Sequence, residues 1–378
     1  MNKEQATAFI GQLLTQMIAH KGSDLFLSAD FPPAIKLDGK LTKVSHQNLV
    51  ALHTQAVADA IMSDKQKLEF ATTQECNFAI APAGIGRFRV NAFVQKGAIG
   101  LVLRVIPQTL PNLDTMGMPQ ILKDLVMLKN GLCILVGATG SGKSTTLAAM
   151  LDWRNVNSHG HIITIEDPIE FVHPHKSCMV TQREVGIDTQ SWDAALKNTL
   201  RQAPDVILMG EIRDRETMDQ ALAIAKTGHL CLATLHANNT NQAFDRILNF
   251  FPQERRLQLL SDLSANMRGL ISQRLITQSD GKGRAAAVEV LTNSALVSQL
   301  VLEGRFGEIK EVMAKSRGSG MQTFDQALFD LYEDGQILLE DAIKNADSAN
   351  DVRLAVKLNS KRGASNDLSA GTEHLEIL

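Results

Sequence analysis

Residues 132–144 read Leu-Cys-Ile-Leu-Val-Gly-Ala-Thr-Gly-Ser-Gly-Lys-Ser. Five apolar residues, the composition of a buried strand, run straight into Gly-x-x-x-x-Gly-Lys-Ser, and helical spacing follows over 144–153. Strand, glycine loop and helix is the context a phosphate-binding loop requires. The glycines let successive backbone N–H groups turn inward, the helix points its positive end at the same place, and Lys143 adds a compact charge. The stretch therefore predicts a triphosphate held by Gly137, Ala138, Thr139, Gly140, Ser141, Gly142, Lys143, Ser144 and Thr145, with the Ser144 hydroxyl on Mg²⁺.

Outward from this loop, the apolar runs Leu132–Val136, Ile162–Ile165, Val206–Met209 and Leu230–Leu235 alternate with helical patterns near 144–153, 191–202 and 215–227. Strands apolar on both faces and separated by helices predict a parallel sheet covered on both sides, a doubly wound α/β core. A helical region is expected over 253–275, with Leu260, Leu263, Met267, Leu270 and Ile271 on one face. A short strand around 286–291 and a helix at 322–333 follow. Before the core, a helical stripe from Ala6 to Ile18 precedes a hairpin of 34–37 and 40–44 around Asp38-Gly39, a helix at 48–62 and β-like alternation from Asn77 to Ile106. Residues 1–106 thus read as a small α+β domain. Pro107, Pro111 and Pro119 mark a linker at 107–119, the doubly wound domain with its carboxyl-terminal helices takes 120–358, and 359–378 is too polar to order itself.

Composition limits the partners. The 378 residues carry 38 Lys+Arg against 41 Asp+Glu, a net charge of −3, which gives no field for nucleic acid. No run approaches the roughly 18 apolar residues of a membrane span, and the start lacks the basic and apolar blocks of a secretory signal. A cytoplasmic protein without direct membrane insertion is expected. The four cysteines stand far apart, with neither zinc spacing nor a disulfide framework.

Hydrolysis needs an acid on the metal side and a base to orient water. Glu211 follows the strand 206–209 at the carboxyl end, where open α/β sheets bind ligands, and is the expected metal-side acid. Glu166 and Glu170 follow the strand 162–165, and one of them is the expected base. Both of these strands are expected to flank the phosphate loop. His229 and His236 bracket the strand 230–235; their odd spacing puts both at one phosphate only if His236 lies beyond the strand end. In the first domain Arg87 and Arg89 share a polar face, and Arg104 interrupts an apolar run. Guanidiniums of this kind can stabilise charge in phosphoryl transfer.

The phosphate loop, Ile-Glu-Asp-Pro-Ile-Glu at 165–170, Met-Gly-Glu-Ile-Arg-Asp at 209–214 and Thr-Gly-His…Thr-Leu-His at 227–236 together resemble the secretion ATPases of type IV pilus machines. The similarity runs from Gly22-Ser-Asp-Leu25 to about residue 358, and it is strongest to the retraction branch, the PilT/PilU family. Residues 320–330 and 345–348 are more like its PilU side. The resemblance implies a RecA-like P-loop NTPase core behind a smaller PAS-like amino-terminal α+β domain. It also implies ATP and Mg²⁺ at Lys143 and Ser144, Glu211 as metal-side glutamate, and Glu170 as general base with Glu166 second. His229 and His236 would sense nucleotide state, and Arg87, Arg89 and Arg104 would approach ATP, sometimes across a subunit boundary. A homo-hexameric ring at the cytoplasmic face of the inner membrane is implied, acting with a PilT-like ATPase and a PilC-like platform protein in twitching motility. One departure stands out: PilT-type proteins have an Ala-Ile-Arg motif where this chain reads Asn293-Ser-Ala-Leu-Val-Ser-Gln-Leu300, without arginine. That favours an accessory motor. The alternatives are a nucleotide-binding scaffold with little turnover, or a pilus-extension or type II secretion ATPase.

Overall fold

Asn2 opens the first helix by a reciprocal cap: its side chain accepts the Gln5 backbone N–H at 2.8 Å, and the Gln5 side chain accepts the Asn2 N–H at 3.0 Å. This helix, α1 (Lys3–Ala19), buries Ala6, Ile10, Leu13, Leu14 and Met17, the stripe expected from their spacing. The structure, a computed structural model, describes residues 1–362 except Asp38 and Gln108. Asp38 of the expected hairpin turn and most of the expected polar tail therefore lie outside the described residues. The chain divides into an amino-terminal unit, Met1–Leu110 with Pro168–His173 and Gly186–Asp188, and a second unit formed by Pro111–Asp167, Pro174–Val185 and the chain from Thr189 on.

After α1 the amino-terminal unit contains β1 (Asp24–Leu27), β2 (Ala34–Leu37), β3 (Lys40–Lys43), α2 (Ala51–Ile61), α3 (Asp64–Thr73), β4 (Glu75–Ile80), β5 (Arg87–Gln95) and β6 (Ala98–Ile106). The strands form one antiparallel sheet in the order β3-β2-β1-β6-β5-β4. Alternation decides its faces. Phe88, Val90 and Ala92 on β5 are buried together with Leu25, Leu101, Leu103 and the α1 stripe, while Arg87, Arg89 and Asn91 take the other face.

The second unit begins with α4 (Ile121–Met127), β7 (Gly131–Val136), α5 (Lys143–Asn157), β8 (Gly160–Glu166), β9 (Cys178–Glu184) and α6 (Trp192–Thr199). It continues with β10 (Val206–Met209), α7 (Arg215–Lys226), β11 (Leu230–Leu235), α8 (Thr240–Asn249), α9 (Gln253–Asn266), β12 (Met267–Thr277) and β13 (Arg284–Thr292). The helices α10 (Ala295–Leu302), α11 (Ile309–Lys315), α12 (Phe324–Glu333), α13 (Leu339–Asn345) and α14 (Ala349–Asn359) complete it. The sheet order is β13-β12-β7-β11-β10-β8-β9, parallel except for the β12–β13 pair. Every residue of β7, β10 and β11 is buried, because α4 and α5 cover one face while α7, α8 and α9 cover the other. This is the doubly wound architecture expected. Among the described residues no helix is long and apolar enough to cross a membrane.

One expectation is corrected. The helix expected over 253–275 ends at Asn266, and Met267–Thr277 is β12, parallel to β7 on one side and antiparallel to β13 on the other. Leu260, Leu263, Met267, Leu270 and Ile271 keep a helix-compatible spacing across this boundary, so periodicity alone does not mark it. Pairing with β7 over Met267–Ser272 and with β13 over Gly269–Thr277 supports the backbone of this strand, and Gly269, where a Cβ would lie 3.0 Å from Leu125 Cδ1, lets α4 close on it. In the sheet β11 and β12 are the neighbours of β7, and the strands carrying Glu211 and Glu166, β10 and β8, lie beyond β11.

Candidate functional site

The loop after β7 is built from backbone conformations that glycine supplies and from contacts that leave no room for a side chain. Gly140 and Gly142 have φ of +78° and +88°. A Cβ on Gly137 would lie 2.3 Å from Ser141 Oγ and 2.8 Å from the Gln273 carbonyl oxygen. Lys143, the first residue of α5, folds back so that Nζ donates to the carbonyls of Gly137 at 2.7 Å and Ala138 at 3.0 Å. It is only 8% exposed, and this burial lowers its pKa against the opposing influence of Glu211. The Ser141 hydroxyl is buried with no hydrogen-bond partner. An orphaned donor, a buried cation and the amino end of a helix converge on one cradle, a set that fits phosphate oxygens.

Gln273 of β12 closes the loop's other side. Its Oε1 accepts from Thr146 Oγ1 at 2.7 Å, and a Cβ on Gly142 would lie 2.7 Å from its Nε2. Gly142→Ala is accordingly expected to weaken ADP binding about ten-fold or more, as read by calorimetry, since both φ and the Gln273 amide oppose the methyl group. Unchanged affinity would refute this account of the cradle.

The acids come from the neighbouring strand ends. Gly210 donates its N–H to the Ile165 carbonyl at 2.8 Å, and its own carbonyl accepts from the Thr234 hydroxyl, which fixes the segment leading to Glu211. The Glu211 carboxylate accepts from Arg213 Nε at 2.8 Å and lies 3.3 Å from His236 Nε2. Arg213 also reaches Asp167 at 3.3 Å. Nothing but its place beside Glu211 in the 209–214 stretch could have singled Arg213 out from sequence. Glu166, the last residue of β8, accepts from Thr164 Oγ1 at 2.6 Å and Gln182 Nε2 at 3.0 Å. Glu170 lies on Pro168–His173, which packs with the amino-terminal unit.

The two histidines part company. His236 follows the carboxyl end of β11, level with the start of the phosphate loop, since Leu235 pairs with Val136. His229 precedes the other end, where Leu230 pairs with Gly131, about 20 Å away at roughly 3.3 Å per residue. The structure does not bring His229 to the loop; its Nδ1 sits 3.0 Å from Thr227 Oγ1. His236 has its pKa lowered from 6.5 by partial burial and then by the Lys143 charge, with Glu211 pulling the other way. The folded protein therefore takes up this proton later than the unfolded chain as pH falls. Its stabilising contribution is complete above pH 6.5 and is lost as pH drops through the folded value. Proton NMR titration is expected to place the His236 ring below 6.5, and a higher value would contradict the described surroundings.

The arginines belong to the amino-terminal unit. Arg89 on β5 pairs across the sheet with Arg104 on β6, and Arg104 Nε donates to the buried Asp24 carboxylate at 2.7 Å. Arg104 thus has a structural partner that sequence reading did not supply. Among the described residues no group of three His, Cys, Asp or Glu side chains forms a metal site. The donors present, Ser144 on the first turn of α5 and the nearby Glu211, suit an ion that keeps several water and phosphate ligands.

Comparison with known proteins gives a consistent result. Residues 2–326 match the family described as Type II/IV secretion system protein. The chain is 53% identical over 366 residues to the Type IV pilus ATPase PilU of Pseudomonas aeruginosa, covering 97% of this chain and 96% of that protein. It is 41% identical to the Type IV pilus retractation ATPase PilT of the same organism, over 89% of this chain and 98% of that one. The crystal structure of the pilus retraction motor PilT with bound ADP superposes with a TM-score of 0.85 at 38% identity, over 91% of this chain and 99% of that chain.

Proposed function

Because the chain belongs to the type II/IV secretion system protein family, we propose that it is a P-loop ATPase of the PilT/PilU group that powers or assists retraction of type IV pili. The observation that carries this reading is the cradle at 137–144, with Lys143 and the buried Ser141 hydroxyl aimed into it beside Glu211 and His236. ATP is the substrate. The loop amides and Lys143 hold the β- and γ-phosphates, and Ser144 and Glu211 hold Mg²⁺, which when bound neutralises phosphate charge. Glu170 orients the attacking water and accepts its proton, with Glu166 the second candidate. The new bond joins the water oxygen to the γ-phosphorus while the bond to the β-phosphate oxygen breaks, leaving ADP and phosphate. Arg87, Arg89 and Arg104 are assigned to stabilising charge on the transferring phosphoryl group. His236 reads nucleotide state through Glu211, and His229 receives no step.

We place the chain in a homo-hexameric ring at the cytoplasmic face of the inner membrane, working with a PilT-like ATPase on a PilC-like platform protein. The 53% identity to PilU and the absence of arginine from Asn293 to Leu302 support the accessory role. Twitching should be restored by this chain only in cells that keep the PilT-like ATPase. Rescue in cells lacking it would overturn the accessory assignment, and normal function of a variant without ATP turnover would favour the scaffold reading.

A further inference from the structure

Two consecutive residues of β12 face opposite ways and hold different parts of the second unit. Ser272 pairs with Val136, so Gln273 is level with the first residue of the phosphate loop. Gln273 is 2% exposed. It touches the loop at both ends: its carbonyl oxygen faces Gly137, its Nε2 faces Gly142, and its Oε1 binds Thr146. Arg274 turns to the carboxyl-terminal helices. Its guanidinium donates to the Asn345 carbonyl at 2.6 Å, to Asp347 Oδ1 at 2.8 Å and to the Asn238 carbonyl at 3.1 Å, and it stacks 4.0 Å above the Phe324 ring.

Asp347, between α13 and α14, gathers the other side. Besides Arg274 it binds Lys310 of α11 at 3.2 Å and the Asn239 side chain, which caps α8, at 3.3 Å. Its own N–H donates to Asp325 of α12 at 2.8 Å. A polar cavity of about 830 Å³ lies between Ala138–Ser141 and the wall formed by Lys310, Asn345 and Asp347, and β12 is the strand that joins its two sides.

We propose that Gln273 and Arg274 form a relay by which the phosphate loop sets the position of the carboxyl-terminal helices α12–α14. Both are positioning residues, and the inference rests on the reading of 137–144 as the nucleotide site. The physical reason is lack of slack. The backbone at Gly137 and Gly142 lies against Gln273 with no room even for a Cβ, which would fall 2.8 and 2.7 Å from Gln273 atoms, so a loop that tightens on phosphate presses on the strand. Arg274, held by four groups on different elements, carries that displacement into the helices. Packed elements of this kind shift between discrete arrangements rather than deforming gradually.

The test is amide hydrogen exchange on the full chain with and without a non-hydrolysable ATP analogue and Mg²⁺. The analogue is expected to slow exchange at 137–146 and, about three-fold or more, at 339–359. Arg274→Gln should abolish the second response and keep the first, while Arg274→Lys, which retains a charge for Asp347, should restore part of it. A purely structural Arg274 would alter exchange at 339–359 equally in both states, leaving the nucleotide-dependent difference intact, and that result overturns the relay. Should Arg274→Gln not fold, Asp347→Asn removes the same pair from the helix side and is read identically. If 137–146 responds in the parent and 339–359 does not, the relay is wrong and the nucleotide reading survives. If 137–146 itself is silent, both fail.

Discussion

Lys143→Ala is expected to lower ATP turnover about a hundred- to a thousand-fold, the scale of losing one preorganised charge at a phosphoryl or oxyanion site. The side chain is only 8% exposed and is tied at 2.7 and 3.0 Å to the carbonyls of Gly137 and Ala138. Those carbonyls hold the ammonium in place before any phosphate arrives, so little reorganisation is needed when one does. Alanine removes the charge and also leaves the Gly137 and Ala138 carbonyls without their donor, so nucleotide affinity should fall with turnover. Phosphate release and calorimetry on the same preparation give both numbers. A variant that binds and hydrolyses ATP as the parent does would remove the loop from the mechanism.

Glu170→Gln is expected to behave differently. A general base contributes about a hundred- to ten-thousand-fold, and glutamine keeps the size of the side chain and one acceptor oxygen while losing the ability to take up the proton. Turnover should collapse with ATP affinity near the parental value. Glu166→Gln is the control that makes the assignment decidable. Glu166 already accepts from Thr164 and Gln182, and the amide can reproduce an acceptor at one of its two atoms, so a milder loss is expected. If Glu166→Gln abolishes hydrolysis and Glu170→Gln does not, the roles are exchanged.

The sequence made the phosphate loop legible because its chemistry is contiguous: strand, glycines, lysine and helix follow one another without tertiary information. The strands at 132–136, 206–209 and 230–235 were legible for a related reason, since burial on both faces leaves an unbroken apolar run. The expected helical continuation to 275 failed because Leu260, Leu263, Met267, Leu270 and Ile271 keep a helix-compatible spacing across a real boundary at Asn266. Periodicity carries no term for the partner strands that decide the matter. That error concealed Gln273. Its one signal was a polar triplet, Ser272-Gln273-Arg274, between the apolar pairs Leu270-Ile271 and Leu275-Ile276, and polar groups in a central strand must find buried partners. Strand order was not legible either, because it depends on which helix crosses which face. His229 shows the limit of motif spacing: two histidines of one box stand at opposite ends of β11.

The strand that feeds the phosphate loop has neighbours that come late in the chain. β7 is complete at Val136, yet one edge waits for β11 at 230–235 and the other for β12 at 267–277. During synthesis more than a hundred residues must emerge before this wholly apolar segment can be covered on both edges, a long-range closure that slows folding and leaves an adhesive surface in the meantime. A ribosome stalled short of Met267 therefore presents a nascent chain in which β7 still has one edge unpaired, the kind of species that holdase chaperones retain.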